Sequence, residues 1–393
     1  MIFNTWVYGF FLAVTVSLYW LLPARWRVPM LTICGAYFYW YYYPPHLLLI
    51  LLLTLLVFGV GGVVGRATGG ARRRWLVAGV VGSVGTLVYF KYQGFLADLA
   101  APLIGAPAGD RVLPRPPLGI SFFVFEYVHY LVEVYRGTFS PATLRDFGLF
   151  ILFFPTLICG PIKRFQQFRP QEHMVGRLDG ADVSAGLERI LIGLAKKTLV
   201  ADIVAPYCAP VLAFPNFYTR WQLWLGVYGY ALQIYFDFSG YSDIAIGSAR
   251  LFGYRVPENF DYPYLQPNIA RFWRSWHMSL TSWITDYVYI PLGGSRRGPG
   301  RASWNRLVSM TLCGLWHGAA PHFAVWGLYH GIALNLYRLY ERWRGPRAGT
   351  AHWATRAVGV VATFHVVCIG WVLFVCDLET AWKIIPRLLL LRP

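Results

Sequence analysis

Long stretches without a charged side chain are the feature that most constrains how this chain can fold. Residues 1–24 and 28–65 contain no Asp, Glu, Lys or Arg, and neither do residues 308–337. A helix needs about 20 predominantly apolar residues to cross the hydrocarbon of a bilayer. Runs of this length therefore predict membrane-spanning helices.

The composition of the whole chain agrees with a bilayer environment. Only 13% of the residues are charged and the mean hydropathy is +0.45, whereas soluble domains carry about 25% charge. The 17 Trp, 26 Tyr and 27 Phe suit a protein with aromatic belts at the two membrane interfaces. The six cysteines contain no CxxC pair, so neither a disulfide framework nor a zinc ribbon is predicted.

The net charge of +17 comes from short basic clusters that lie between apolar runs. This distribution fits cytoplasmic loops and anionic headgroups better than a groove for nucleic acid. Arg25 and Arg27 follow the first apolar run, which lacks the basic start and cleavage site of a signal peptide. We expect an uncleaved first span with its N-terminus outside, a cytoplasmic first loop and hence a multi-pass membrane protein.

The remaining apolar runs predict an all-α protein with roughly ten or eleven membrane-embedded segments. Pro44-Pro45 divides residues 28–65 into two of them, and residues 101–117 form the clearest loop. Several runs are short, so we expect broken or re-entrant segments, which need a surrounding of protein or water. We see no soluble domain and no tandem repeat, so residues 1–393 are predicted to form one domain. The later runs are 75–90, 118–135, 146–162, 186–204, 221–236, 240–253, 307–320, 321–340 and 357–376.

Two tryptophan–histidine dipeptides are the strongest chemical signal. They lie in RFWRSWHMSLTSWITD (271–286) and GLWHG (314–318). Histidine within a bilayer costs free energy, which raises a functional hypothesis by default. Desolvation keeps such an imidazole neutral, and a neutral imidazole can accept a proton as a general base. His277 and His317 are therefore candidate site residues, and Gly314 and Gly318 predict a close approach of a backbone or a substrate chain to His317.

The other histidines favour a structural role. His322, His330, His365 and His129 are predicted to be packed residues that hydrogen-bond between helices, with Pro321 marking a break beside His322. For His317, spacing alone leaves packing and catalysis both open. The histidines lack the HExxH pattern and the ligand spacing of common zinc sites, so no metal site is predicted.

Two further segments contain polar groups in apolar surroundings. Carboxylates such as Asp237 usually line a cavity or pair with a cation inside a membrane, whereas Ser239 and Asp243 are predicted to cap a helix that starts after Gly240. PLGGSRRG (291–298) predicts a turn with a basic patch. Its arginines could bind phosphate, but an ordinary positive-inside loop is the favoured interpretation.

Seven motifs in order resemble the membrane-bound O-acyltransferase (MBOAT) family. The resemblance is strong over residues 117–331 and weaker over the N-terminal third. Within this family, the chain is similar to the bacterial branch that includes the membrane subunits for alginate O-acetylation and for D-alanylation of lipoteichoic acid. DYVYIPLGGSR favours the polysaccharide-acetylating side, while the length of the chain is nearer to the D-alanylating type. The motifs are PLGISFFVFEYVHYLVEVYRG, GPIKRF, IGLAKKTLVAD, QIYFDFSGYSDIAIG, ENFDYPY, RFWRSWHMSLTSWITDYVYIPLGG and GLWHGA.

The resemblance implies a ring of helices around a central tunnel. It implies that His317 is the catalytic histidine and His277 the second. The acyl donor would be a cytoplasmic thioester, either acetyl-CoA or an acyl carrier protein, used as substrate with no bound cofactor. The acceptor would be a hydroxyl of an extracytoplasmic polymer or of a relay protein.

We therefore predict an O-acyltransferase in which His317 acts as general base and His277 orients the acceptor or stabilises the oxyanion. Substrate-binding roles are predicted for Trp273, Trp276, Trp316, Ser279 and Asp237, although ordinary packing also explains the tryptophans. The partners would be membrane lipid and an extracytoplasmic acetyltransferase or relay protein.

Three alternatives remain at this point. The first is D-alanyl transfer from a carrier protein to teichoic acid. The second is a transport channel, which should show ionisable residues spaced along several spans or paired broken helices. The third is a scaffold without chemistry of its own.

Overall fold

A computed structural model describes residues 3–41, 44–104, 114–171, 179–345 and 352–390. All regular structure in these residues is helical, and they contain no β-strand. The all-α prediction is therefore confirmed. The predicted loop 101–117 is helical as far as Ile104, and its residues 105–113 lie outside the described part of the chain.

The chain divides into two compact units. The N-terminal unit comprises Met1–Leu194 with Tyr241–Pro257, and the C-terminal unit comprises Ala195–Gly240 with Glu258–Pro393. The prediction of a single domain stays a prediction. In the described residues, the helices as far as Ala195 are α1 (Trp6–Leu21), α2 (Ala24–Trp40), α3 (Pro44–Arg66), α4 (Gly69–Leu87), α5 (Gln93–Ile104), α6 (Ile120–Arg136), α7 (Leu144–Leu152), α8 (Phe165–Phe168) and α9 (Gly180–Ala195).

The later helices carry most of the motifs. They are α10 (Asp202–Ala213), α11 (Arg220–Leu251), α12 (Ile269–Ser275), α13 (Met278–Ile284), α14 (Gly298–His317), α15 (Pro321–Arg344), α16 (Trp353–Val375) and α17 (Leu378–Leu388). Within the described ranges, π-helical segments lie at Val88–Tyr92, Lys196–Ala201 and Thr285–Tyr289.

Three helical stretches in the described residues are long and apolar enough to cross a membrane. They are Pro44–Arg66, Gly69–Ala101 and Trp353–Val375, and Trp6–Leu21 is a shorter apolar helix. The break at Pro44-Pro45 is confirmed, because α2 ends at Trp40 and α3 begins at Pro44. The total of ten or eleven embedded segments stays a prediction.

The core of the N-terminal unit contains a buried ion pair. Lys163 Nζ lies 2.6 Å from Glu126 Oε1 and donates to Thr156 Oγ1 at 2.9 Å. Its side chain is only 1% exposed. His129, predicted to be a packed residue, is buried in α6 and accepts a hydrogen bond from the backbone N–H of Phe165 at 2.8 Å. These contacts join α6 to the GPIKRF segment.

The predicted division of residues 221–253 into two segments is wrong. α11 runs without interruption through Gly240, since an interior glycine costs a helix only about 1 kcal/mol and packing offsets this. Asp243 therefore lies within a helix and cannot cap one. Its carboxylate instead accepts from Arg189 Nε of α9 at 2.6 Å, which satisfies the buried charge.

The C-terminal unit is built around large aromatic residues and a helical hairpin. Trp326 and Trp371 are each only 1% exposed in its hydrophobic core. α14 and α15 form the hairpin, and the three residues between them precede Pro321, which starts α15. The break predicted at Pro321 is confirmed.

Candidate active site

In the RFWRSWH motif, a turn at His277 separates two short helices. Asn268 caps α12 by accepting from the N–H of Arg271 at 2.8 Å. His277 then adopts a left-handed conformation with φ 43° and ψ 53°, and α13 begins at Met278. A non-glycine residue at positive φ is uncommon and persists where the surroundings hold it. The conformation places the imidazole at the junction of two short helices.

Asn259 of the ENFDYPY motif fixes the backbone beyond this junction. Its carbonyl oxygen accepts from the N–H of Met278 at 2.9 Å. Its side-chain Oδ1 accepts from Ser279 Oγ at 2.6 Å. Asn259 is fully buried and Ser279 nearly so. Ser279, predicted to bind substrate, is thus placed where it supports the turn that carries His277.

The structure brings the two predicted histidines together. The ring centroids of His277 and His317 are 6.4 Å apart. The ring of Trp316 lies against both, at 5.8 Å from His277 and 4.8 Å from His317. Phe238 of α11 packs edge-on against His277 at 4.6 Å. A histidine pair with an aromatic wall therefore lies at the C-terminal end of α14.

The two imidazoles differ in exposure. His277 is 1% exposed, and its Nδ1 has no hydrogen-bond partner among the described residues. His317 is the last residue of α14 and is only partly buried. Its ring packs edge-on against Trp326 at 5.3 Å and against Phe374 at 5.1 Å. His317 is therefore the member of the pair that a substrate reaches more easily.

Glycines let the backbone of α15 approach α14 beside His317. A Cβ added at Gly314 would overlap the carbonyl oxygen of Phe323, and one at Gly327 would overlap that of Met310. A Cβ at Gly318 would overlap the ring of Phe323. The close approach predicted at Gly314 and Gly318 is confirmed, and the partner is the next helix of the same chain.

The three predicted tryptophans occupy different surroundings. Trp316 contacts both histidines. Trp273 packs against Trp326 at 5.7 Å and against His330 at 5.1 Å. Trp276 lies in the hydrophobic core against Trp371 at 4.8 Å.

Asp237 lies one residue before Phe238 and forms an ion pair. Lys197 Nζ is 2.6 Å from Asp237 Oδ1 and 2.6 Å from Asp202 Oδ1. The lysine belongs to the π-helical segment Lys196–Ala201, so the pair ties this segment to α11. A pairing of this carboxylate with a cation is one of the two predicted outcomes.

Of the remaining histidines, His129 and His365 form the predicted hydrogen bonds, whereas none is found for His322 or His330 among the described residues. His365 Nε2 lies 2.8 Å from the hydroxyl of Tyr228, and His322 packs on Phe323 at 4.2 Å. His330 is fully buried, but neither ring nitrogen has a hydrogen-bond partner in the described part of the chain. The hydrogen bond predicted for His330 is therefore not found there.

Sequence reasoning missed Asn259, Lys197 and Phe238 as residues that support the pair. Asn259 offered a signal, since a buried amide requires partners and it stands in one of the matching motifs. The contact of Phe238 with His277 joins residues far apart in the sequence, which no local pattern reveals.

These features define an all-helical membrane protein with a histidine pair beside a tight helical hairpin. The model of the MBOAT, membrane-bound O-acyltransferase family, matches residues 36–377. The chain belongs to this family and is a membrane O-acyltransferase.

Relatives with a described activity extend along most of the chain. A probable alginate O-acetylase of Azotobacter vinelandii is 38% identical over 394 residues, covering 98% of this chain and 77% of the relative. A peptidoglycan O-acetyltransferase of Helicobacter pylori is 32% identical, covering 80% of this chain and 64% of the relative. A teichoic acid D-alanyltransferase of Bacillus subtilis is 32% identical, covering 65% of this chain and 68% of the relative.

Proposed function

We propose that the protein transfers an acetyl group from a cytoplasmic thioester to a hydroxyl of an extracytoplasmic polysaccharide, directly or through a relay protein. Relatives that match nearly all of this chain are described as probable alginate O-acetylases. The donor is acetyl-CoA or an acyl carrier protein. The protein is a multi-pass protein of the bacterial inner membrane, and its partners are lipid and an extracytoplasmic acetyltransferase or relay protein.

His317 is the general base in this proposal. Its imidazole accepts the proton of the acceptor hydroxyl while the oxygen attacks the thioester carbonyl carbon. The C–S bond of the tetrahedral intermediate then breaks, and the leaving thiolate takes the proton from the imidazolium. The observation that carries the proposal is the pairing of His317 with His277 at 6.4 Å, with His317 the more exposed of the two.

His277 orients the acceptor or stabilises the developing oxyanion. A hydrogen-bond donor held in a low-dielectric site is worth most where negative charge develops. The buried Nδ1 of His277 has no partner among the described residues, which supports a role toward substrate. Trp316 packs against both imidazole rings. Ser279 and Asp237 hold the segments that position His277.

The remaining predicted residues have supporting places in the proposal. Trp273 packs against His330 and Trp326, and Trp276 holds α12 in the core. Neither needs to touch the reacting atoms for this assignment.

The test is acetyl transfer by the purified full chain in lipid nanodiscs. Radiolabelled acetyl-CoA and candidate polysaccharides are incubated with the natural protein, with His317→Ala and with His322→Ala as a matched control in the same segment. Loss of a general base lowers the rate about 10²- to 10⁴-fold, whereas His322→Ala should transfer normally. Undiminished transfer by His317→Ala would contradict the role of His317 as general base, whereas a natural protein that transfers no acetyl group would favour a channel or a scaffold.

D-alanyl transfer is the second candidate, because a teichoic acid D-alanyltransferase matches 65% of the chain. The same assay with a carrier protein loaded with D-alanine distinguishes the two. Transfer of D-alanine in place of acetate would select the second candidate, and His317 would keep its role in it.

A further inference from the structure

The imidazole of His330 lies between two indole rings in the core of the C-terminal unit. Its ring centroid is 5.1 Å from that of Trp273 on α12 and 5.1 Å from that of Trp326 on α15. The two indole rings are 5.7 Å apart. The three side chains therefore form one compact group, which we call the His330 cluster.

The ring nitrogens of the His330 cluster are buried without a hydrogen-bond partner among the described residues. This holds for Nδ1 and Nε2 of His330 and for Nε1 of both Trp273 and Trp326. The three residues are 0%, 4% and 1% exposed, in that order. Buried polar groups are nearly always paired in folded proteins, and an unpaired one costs more than a hydrogen bond contributes. The cluster therefore indicates a small polar ligand that joins these nitrogens.

An internal water fits the donors and acceptors of the His330 cluster. An indole is only a donor, whereas a neutral imidazole provides a donor and an acceptor. A water molecule can accept from both indole N–H groups and donate to the acceptor nitrogen of the imidazole. This gives the water about three hydrogen bonds, the number typical of buried water. An anion would leave the acceptor nitrogen unpaired, so the chemistry of the cluster favours water.

Gly370 on α16 limits where the imidazole can lie. A Cβ added at this glycine would stand 2.6 Å from Nε2 of His330. The imidazole also packs against Tyr329, at 5.3 Å between ring centroids, as well as against both indoles. A ring enclosed on these sides has little room to move away from a new methyl group. Gly370→Ala is therefore expected to displace the imidazole of His330.

Trp326 connects the His330 cluster to the candidate general base. Its ring packs edge-on against that of His317, at 5.3 Å and with an interplanar angle of 90°. Trp326 and His330 are four residues apart on α15, so their side chains lie one above the other on the same face of the helix. The indole that contacts His317 on one side thus contacts His330 on the other.

We propose that His330 is a positioning residue for His317. It binds an internal water together with the indole N–H groups of Trp273 and Trp326, and this bridge fixes the indole against which His317 packs. The water serves only as a hydrogen-bond bridge, and no proton moves through the cluster. The inference rests on the proposed function, since a general base must lie within hydrogen-bond reach of the hydroxyl that it deprotonates.

Two substitutions of His330 separate positioning from packing. Glutamine keeps a donor and an acceptor, whereas phenylalanine keeps an apolar ring and removes both nitrogens. In acetyl transfer by the full chain in nanodiscs, kcat should fall roughly ten- to hundredfold for His330→Phe, because a small displacement of a catalytic group costs up to about that factor. His330→Gln should lose only several-fold, and KM should stay within about twofold for both variants.

The opposite order of the two variants would overturn the proposal. If His330 only fills space, the buried apolar ring of phenylalanine is the better replacement, since burial of an amide is costly. A His330→Phe protein as active as His330→Gln therefore contradicts the bridge. His365→Phe and His365→Gln are the matched controls, because His365 contacts Tyr228 and Trp224 in the same unit. Both controls should keep kcat within about twofold of the natural protein.

The background of His317→Ala tests whether the effect passes through His317. If it does, His330→Phe should change the residual transfer of His317→Ala by less than about twofold, because coupled residues are not additive. A defect of folding alone would lower transfer by the same factor in both backgrounds, which would contradict this inference and leave the role of His317 intact. Normal transfer by His317→Ala itself would instead contradict the proposed general base, and the positioning role would fail with it.

The indole N–H signals of ¹⁵N-tryptophan-labelled protein report the bridge without any transfer assay. The signal that disappears in Trp326→Phe belongs to Trp326. It should move upfield in His330→Phe and in Gly370→Ala, because the N–H loses its acceptor, and it should stay in place in His365→Phe. An unchanged Trp326 signal in His330→Phe would show that the bridge does not exist.

Discussion

His277 combines a buried imidazole with a left-handed backbone, at φ 43°. Positive φ costs most residues about 1–3 kcal/mol, while asparagine tolerates it and β-branched residues do not. The backbone therefore selects which residues can stand at this position before any chemistry is considered. The orientation of the imidazole is set by the turn as well as by its own side-chain torsions.

Replacing His277 tests this separation of fold and chemistry. The free energy of unfolding of His277→Asn should lie within about 1 kcal/mol of that of the natural protein, and that of His277→Val about 1–3 kcal/mol below it. Of the two residues, only valine disfavours the left-handed backbone conformation. Both should transfer acyl groups slowly. Thermal unfolding in detergent, followed beside the transfer rate, measures both effects. Equal stability of the two variants would show that the turn imposes no such selection.

Individual residues were predictable where their type is unusual for their surroundings. Histidine beside tryptophan in an apolar run pointed to His277 and His317, and the structure places their rings together. Asp243 was assigned wrongly because a local cap and a distant ion pair look alike in sequence. Its partner Arg189 lies in another helix, so only the folded chain distinguishes them.

The hairpin of α14 and α15 depends on glycines at the helix crossing. At Gly314 and Gly327 the facing helix offers a backbone carbonyl where a Cβ would stand. Backbone atoms cannot move aside as a flexible side chain can. The crossing therefore requires the absence of a side chain at both positions.

Gly314→Ala should destabilise the protein by about 1–3 kcal/mol, the usual cost of overpacking, and should lower transfer because His317 follows on the same helix. Gly300→Ala is the control on α14, since a Cβ there meets nothing within 4 Å. It should be neutral or stabilising, as alanine has the higher helix propensity. Denaturation and transfer assays of both variants provide the comparison. A Gly314→Ala protein as stable as the control would contradict the tight crossing.

At the level of elements, three prolines marked breaks between segments correctly and Gly240 did not. Pro44, Pro45 and Pro321 were expected to separate segments, and helices begin at Pro44 and Pro321. Gly240 was expected to mark a helix start, yet α11 continues through it. Proline lacks an N–H and is disfavoured in a helix interior, although Pro29, Pro206, Pro210 and Pro386 lie inside helices of this chain. The small cost of an interior glycine is decided by packing that a sequence does not display.

At the scale of the whole molecule, the ion pair of Lys163 with Glu126 lies in the interior of the N-terminal unit. Lys163 and Glu126 are both buried, at 1% and 9% side-chain exposure. Removal of one member of such a pair leaves an isolated charge and costs about 3–5 kcal/mol, whereas replacement of both by apolar groups is often close to neutral.

A double-mutant cycle measures this. Lys163→Met and Glu126→Leu should each destabilise the protein by about 3–5 kcal/mol, and the double variant should recover most of that loss. Thermal unfolding of the four proteins in one detergent gives the coupling free energy. Additive losses would contradict the pairing, and Lys383→Met is a suitable control because its pair with Glu379 is exposed.

The class of the molecule followed from its sequence more readily than its arrangement. Uncharged runs predicted a helical membrane protein, because hydrocarbon admits few alternatives for the backbone. The contacts of Asn259 with Ser279 and of Phe238 with His277 join segments that are distant in the sequence. Such contacts depend on how helices pack, and a single sequence does not specify them.

The carbonyl-on-glycine crossing has a mechanical consequence. Two helices that touch through their main chains have no layer of side chains between them on which to slide. α14 and α15 therefore behave as one rigid pair of helices. The movement that admits and releases a long substrate must therefore come from the neighbouring segments.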